Sequence, residues 1–126
     1  MSNEETLDSL DLMAESIDLV RERFSRIRVP DDFVLTSEGV TLLDAISMRL
    51  QVIGESVKQI LKTNPSFLQH YSEIEWEQIA RFRDLVSHHY ERVDHEIVYD
   101  ICNAHIPRLG EIVQKMRTAL CETGSP

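Results

Sequence analysis

The sequence predicts an all-α protein: an up-and-down bundle of four long helices with one short connecting helix. Three observations predict it. Apolar residues recur at steps of three and four almost throughout, the spacing that lays one stripe along an α-helix. No segment shows the period-two alternation of a half-buried strand. The 126 residues include only four Gly and four Pro, too few for a turn-dense β-sandwich or a collagen-like chain. The length fits a single domain over residues 1–126 with one core, and residues 121–126 read as a frayed tail.

The first helix carries Leu7, Leu10, Met13, Ile17, Val20, Phe24 and Ile27 on one stripe. Pro30, followed by Asp31 and Asp32, stops it, because proline disfavours helical geometry in the residue before it. A loop through Phe33 and Leu35 leads to Thr36 or Ser37, either of which can cap the next helix. That second helix bears Val40, Leu43, Ile46, Leu50, Ile53, Val57 and Ile60, and Leu42, Ala45 and Val52 widen its apolar face. It is the central element. Gly54 interrupts the pattern at a cost of about 1 kcal/mol relative to Ala. Close approach of a neighbouring helix explains such a glycine.

Asn64-Pro65 ends the second helix, and Phe67 to Tyr71 form the short connector. Ser72-Glu73-Ile74-Glu75 fits a capping box, so a third long helix is expected from about Ser72 to Tyr90. Asp94 is the natural cap of the fourth, with Ile97 or Val98, Ile101, Leu109, Ile112, Met116 and Leu120 facing the core. Pro107 removes the bond to the carbonyl of Asn103 and is expected to kink that helix without ending it.

Hydrophobic residues make up 42% and charged residues 28%, the balance of a soluble globular protein. The net charge of −9 excludes a protein that coats nucleic acid by general electrostatics, but not an enzyme that meets RNA at a local patch. No apolar run approaches the roughly 18 residues of a membrane span. The acidic N-terminus lacks the order of a secretion signal. Cys102 and Cys121, if joined by one helix, lie roughly 28 Å apart, against a disulfide limit of about 7 Å. A reducing, cytoplasmic location is the expectation.

The chemistry concentrates in Arg81-Phe82-Arg83-Asp84-Leu85-Val86-Ser87-His88-His89-Tyr90-Glu91-Arg92. On a helix, Ile79, Phe82, Leu85 and Val86 share one arc, while Arg83, Ser87 and Tyr90 gather on another, with Asp84 and His88 on the adjoining stripe. The plain reading is a solvated face. Its composition, however, suits phosphodiester chemistry. An arginine clamps phosphate oxygens in a planar fork and stabilises charge that develops in the transition state. A histidine moves protons near neutral pH. Asp84, four residues before His88, can orient the imidazole. RNA brings its own nucleophile, the 2′-OH, so such a site requires no metal and no cofactor.

Arg83-x4-His88-x-Tyr90 resembles the Arg-x4-His-x-Tyr signature of the HepT branch of HEPN ribonuclease toxins. Ile53-Gly54-Glu55 looks like that family's Ile-Gly-Glu, and Trp76 to Arg83 like its approach to the motif. Asp94-His95-Glu96-Ile97-Val98 and Ile106-Pro107-Arg108-Leu109 are similar to its last helix. The resemblance runs from about Leu7 to Met116.

It implies an all-α, HEPN-like homodimer that brings two motifs into a shared cleft and cuts RNA without metal. Arg83 would bind and polarise the scissile phosphate, and His88 would be the general acid/base. Asp84, where many members carry Asn, would support the neighbouring groups while adding negative charge beside the phosphate. Tyr90 would be the acceptor of AMP from an MntA-type nucleotidyltransferase antitoxin. A bulky anion one turn from the Arg/His pair would occupy the phosphate site and repel RNA.

Other candidates read more plainly. His88, His89 and His95 lie close in sequence, but adjacent helical residues diverge by about 100°, so one metal could hardly use both His88 and His89. His105 fits a helix interface, His70 a loop, Cys102 a small apolar core position and Trp76 a core anchor. Arg21, Arg23, Arg26 and Arg28 complement the dipole at the end of the first helix, or else extend an RNA path or meet an acidic partner. The main alternative to a nuclease is a non-catalytic helical partner, or substrate-binding subunit, of a nucleotidyltransferase. The −9 charge is comfortable in that role.

Overall fold

Long apolar stripes make long helices, and the computed structural model, which describes residues 3–87 and 93–123, is built around three of them. Helix α1 spans Asn3–Phe24 and α2 spans Ser37–Thr63. They run antiparallel. Thr6 near the start of α1 receives a hydrogen bond from Asn64 at the end of α2 (3.1 Å), Ser16 meets Arg49 (3.4 Å), and Arg23 donates to the Ala45 carbonyl (3.4 Å). Among the described residues there is no strand, as the periodicity predicts. No described helix is long and apolar enough to cross a membrane.

The stripe of α1 buries Leu10, Met13, Ile17 and Val20, and that of α2 buries Ile46, Leu50, Ile53, Val57 and Ile60. Each such side chain contributes about 1.5–3 kcal/mol by leaving water. Val40 departs from expectation. It lies in the first turn of α2, before the stripe reaches the core, and is 43% exposed. Helix α1 ends at Phe24, where Arg26 and Ile27 donate to the carbonyls of Arg23 and Phe24 and tighten the chain. The expected loop contains a 3₁₀ turn, Pro30–Phe33, which inserts Phe33 completely into the core. Of the two cap candidates Thr36 is the one used: its hydroxyl accepts from the Gly39 amide at 2.9 Å. Gly39 is required there, because a Cβ would collide with the Asp32 carbonyl of the turn.

Asn64 closes α2 by donating to the Ile60 carbonyl (2.7 Å), and Pro65 opens the connector α3, Pro65–Gln69. The third helix is instead broken: α4 (Trp76–Ala80) and α5, described over Phe82–Ser87, are separated by a turn at Arg81. The capping box at Ser72 does not form. Trp76 donates from its indole to the Tyr71 carbonyl (3.0 Å), while Ile74 and Trp76 are buried. Burying both while closing that bond holds residues 71–75 in turns, so the helix begins four residues later than the local signal suggests.

Asp94 caps α6, His95–Asp100, accepting from the amides of Glu96 (3.0 Å) and Ile97 (3.3 Å). Five residues of π-helix, Ile101–His105, join it without a gap to α7, Ile106–Thr123. The cause is Pro107. Having no N–H to offer Asn103, it is accommodated by widening the ladder, so that Ile106 donates to Ile101. The kink expected at Pro107 is thus taken up as a π-bulge on its N-terminal side. Helix α7 lies antiparallel to α1, with Arg117 against Asp11 (2.9 Å) and Gly110 against Ile17. It continues to Thr123, past the point where fraying is expected. Packing therefore runs α7, α1, α2, then α4 and α5 on the far side of α2, so α2 is central.

Candidate functional site

The site is built where α2 meets the break between α4 and α5. Phe82 is the buried end of α5, with its ring against His105 at a centroid distance of 5.8 Å. That contact is the helix interface expected for His105. Opposite Phe82, Gly54 lets the α2 backbone come unusually close. A Cβ at Gly54 would lie 3.0 Å from the Ala80 carbonyl oxygen and 3.1 Å from the Arg83 amide nitrogen. The glycine that costs α2 helical stability is therefore explained by close approach, as its place in the pattern suggests.

Arg83 follows in the first turn of α5 and projects outward. Its Nη1 lies 2.8 Å from Oε1 of Glu55, and each side chain is 50% exposed. The guanidinium is thus oriented yet open to solvent. Asp84, the next residue along, is exposed on the same helix. His88 and Tyr90, and with them the expected Asp84–His88 contact, lie outside the described residues. Glu55 is the residue that reasoning from the sequence left without a role. The signal was present, since it directly follows a glycine that brings another segment close.

Glu55 also stands in the wall of an open groove between α1 and α2, of about 530 Å³, with the exposed side chains of Leu12 and Met48. The basic cluster at the end of α1 does not form one surface. Arg21 lies beside Gly110 of α7, Arg23 turns to Ala45 of α2, and Arg26 and Arg28 line a cleft with Asp32 and Glu38. The Asp32 carboxylate accepts from the backbone amides of Arg28 (2.8 Å) and Val29 (3.2 Å). Those two bonds hold it below the usual carboxylate range against the opposing effect of desolvation, and the Arg28 charge adds to them. Cys102 is buried, and desolvation pushes its thiol up to about 12, which suits a packing residue and not a nucleophile. Trp76 is buried in the core, as expected of an anchor.

Comparison with known proteins adds an independent line. The family model described as Ribonuclease HepT-like matches residues 13–116. A probable ribonuclease HepT from Thermococcus cleftensis is 32% identical over 110 residues, covering 87% of this chain and 94% of that protein. A Methanocaldococcus jannaschii protein named for a gamma-glutamylcyclotransferase and a candidate RNase is 32% identical over 111 residues, 88% of this chain and 47% of that protein. A second from the same organism, named a candidate RNase, is 36% identical over 63 residues, 50% of each. The chain spans about half the length of these two Methanocaldococcus relatives. No solved structure gives a significant match.

Proposed function

The chain belongs to the HepT-like ribonuclease family, and from that premise we propose that it is a metal-independent endoribonuclease, the toxin of a toxin–antitoxin pair, acting as a homodimer. The observation that carries this reading is the Arg83 guanidinium, oriented at 2.8 Å by a carboxylate and half open to solvent, at the head of the Arg-x4-His-x-Tyr stretch.

Arg83 grips the scissile phosphate and stabilises the charge that builds on its oxygens as the 2′-OH attacks. His88 takes the 2′-OH proton and returns one to the departing 5′-oxygen, work suited to an imidazole near neutral pH. Asp84 supports the neighbouring groups by hydrogen bonding. Tyr90, two residues beyond His88, takes AMP onto its phenolic oxygen from ATP, with pyrophosphate leaving, in a transfer run by an MntA-type nucleotidyltransferase antitoxin, and the attached phosphate then competes for the same cation. The resemblance of the motif supports these roles. The groove with Leu12 and Met48 exposed supports a partner surface next to Glu55.

One observation favours the second reading, a non-catalytic partner or substrate-binding subunit of a nucleotidyltransferase. The net charge is −9 and a dimer doubles it, so RNA must enter against an unfavourable mean field. Cleavage of RNA by the unmodified protein in excess EDTA, beside His88→Ala of unchanged circular dichroism, separates the two. The nuclease reading expects cleavage that survives chelation and is lost in the variant. Absence of cleavage by protein whose intact mass carries no nucleotide adduct supports the partner reading.

A further inference from the structure

We propose that Glu55 is a positioning residue of the site, holding the Arg83 guanidinium in the orientation that meets an RNA phosphate; this rests on the reading of Arg83 as the phosphate-binding group.

Two adjacent residues of α2 fix the two ends of one side chain. Gly54 admits the Arg83 backbone, its missing Cβ lying 3.1 Å from the Arg83 amide nitrogen, and Glu55 takes the Nη1 end at 2.8 Å. An arginine half in solvent otherwise samples many rotamers, and a ligand that needs one of them must select it. With both ends set by the same helix, that selection is made before RNA arrives, which is how positioning lowers a barrier.

Stability does not account for the pair. Ion pairs exposed to this extent contribute little to folding, because water screens them and two long side chains must be held still. Nor does the carboxylate close the site. A guanidinium carries five N–H donors spread over more than one edge, so a carboxylate at Nη1 is compatible with a phosphate at another edge. Its negative charge beside that phosphate disfavours binding, however. The arrangement thus gives up affinity for orientation, and this produces a distinctive kinetic signature.

The test compares wild type, Glu55→Ala, Glu55→Gln and Arg83→Ala, each with its fold checked by circular dichroism. It uses a cleavable RNA and the same RNA with a 2′-deoxy nucleotide at the cut. For Glu55→Ala the expectation is a fall in kcat of about tenfold. Binding of the deoxy RNA should be unchanged or tighter. Glu55→Gln keeps an oxygen acceptor for Nη1 and should recover most of kcat. Independently of activity, the Arg83 side-chain N–H order parameter in NMR relaxation should fall in Glu55→Ala and be restored in Glu55→Gln.

Unchanged kcat and an unchanged order parameter in a folded Glu55→Ala, with Arg83→Ala inactive, would overturn the role of Glu55 alone. Tighter binding with undiminished kcat would also overturn it, leaving Glu55 as a mere competitor for Arg83. Wild-type cleavage by Arg83→Ala, or none by wild type, would overturn the reading of the site itself. Should Glu55→Ala fail to fold, the Glu55→Gln and Glu55→Asp pair decides. Gln preserves the reach to Nη1, whereas Asp retains the charge and shortens the reach, so kcat should fall only in Asp.

Discussion

The α1–α2–α7 framework and the α4–α5 strip are both helical, but for different reasons. The framework helices run 22, 27 and 18 residues, and their core-facing stripes are almost completely buried. The strip opens with α4, a helix of five residues, a length at which an isolated helix does not persist in water. What holds it is tertiary. Trp76, Ile79 and Phe82 are buried, and the backbone at Ala80–Arg83 lies against Gly54. The framework is specified by its own periodicity, whereas the strip takes its shape from the surface it rests on. The residue assigned to the chemistry is on the second kind of element.

That contrast can be broken by substitution. Leu50→Ala removes a completely buried side chain from the middle of α2 and should destabilise the whole chain by about 2–5 kcal/mol, read by urea denaturation. A smaller loss would mean that the framework core is less tightly packed than its burial indicates.

Gly54→Ala tests the strip. The new methyl regains about 1 kcal/mol of helix propensity but meets two backbone atoms at 3.0 and 3.1 Å, an overpacking that costs about 1–3 kcal/mol. The net change in stability should be under about 2 kcal/mol. Displacement of Arg83 should nevertheless lower RNA cleavage by at least about tenfold. Equal proportional losses of stability and activity would erase the distinction between the two regions.

The smallest effect concerns the acid limb at the far end of the framework. Two backbone amides hold the Asp32 carboxyl below the usual carboxylate range. It therefore contributes stability above about pH 4, and that contribution is lost as pH falls through its depressed native value. Melting temperatures of wild type and Asp32→Asn should differ most above that range and converge below it. Parallel curves would show that Asp32 contributes nothing to the acid dependence.

The same contrast decides what could be read from the sequence. Framework elements were legible because burial leaves a period: the stripes of α1, α2 and α7, the caps at Thr36 and Asp94 and the proline at residue 65 lie where local signals put them. The break at Arg81 and the start at Trp76 were not, because they depend on the shape of α2 and on an indole bond to Tyr71. The π-bulge was half legible, since Pro107 announces a lost bond but not how the ladder absorbs it. At the site, the arginine was legible from its motif and the glycine from its cost, while their meeting through Glu55 is a long-range fact. Dispersal of Arg21, Arg23, Arg26 and Arg28 over several neighbours is likewise invisible to a count of charges.

Arg83 of α5, held against α2 by Glu55, is proposed as the heart of a metal-free RNA-cleaving site. The most direct measurement is the single-turnover rate of RNA cleavage in excess EDTA by wild type and by Arg83→Ala, at equal helicity and melting temperature. The expected loss is about 10²–10³-fold, the scale for removing a group that stabilises transition-state charge. Equal rates in two equally folded proteins would contradict it.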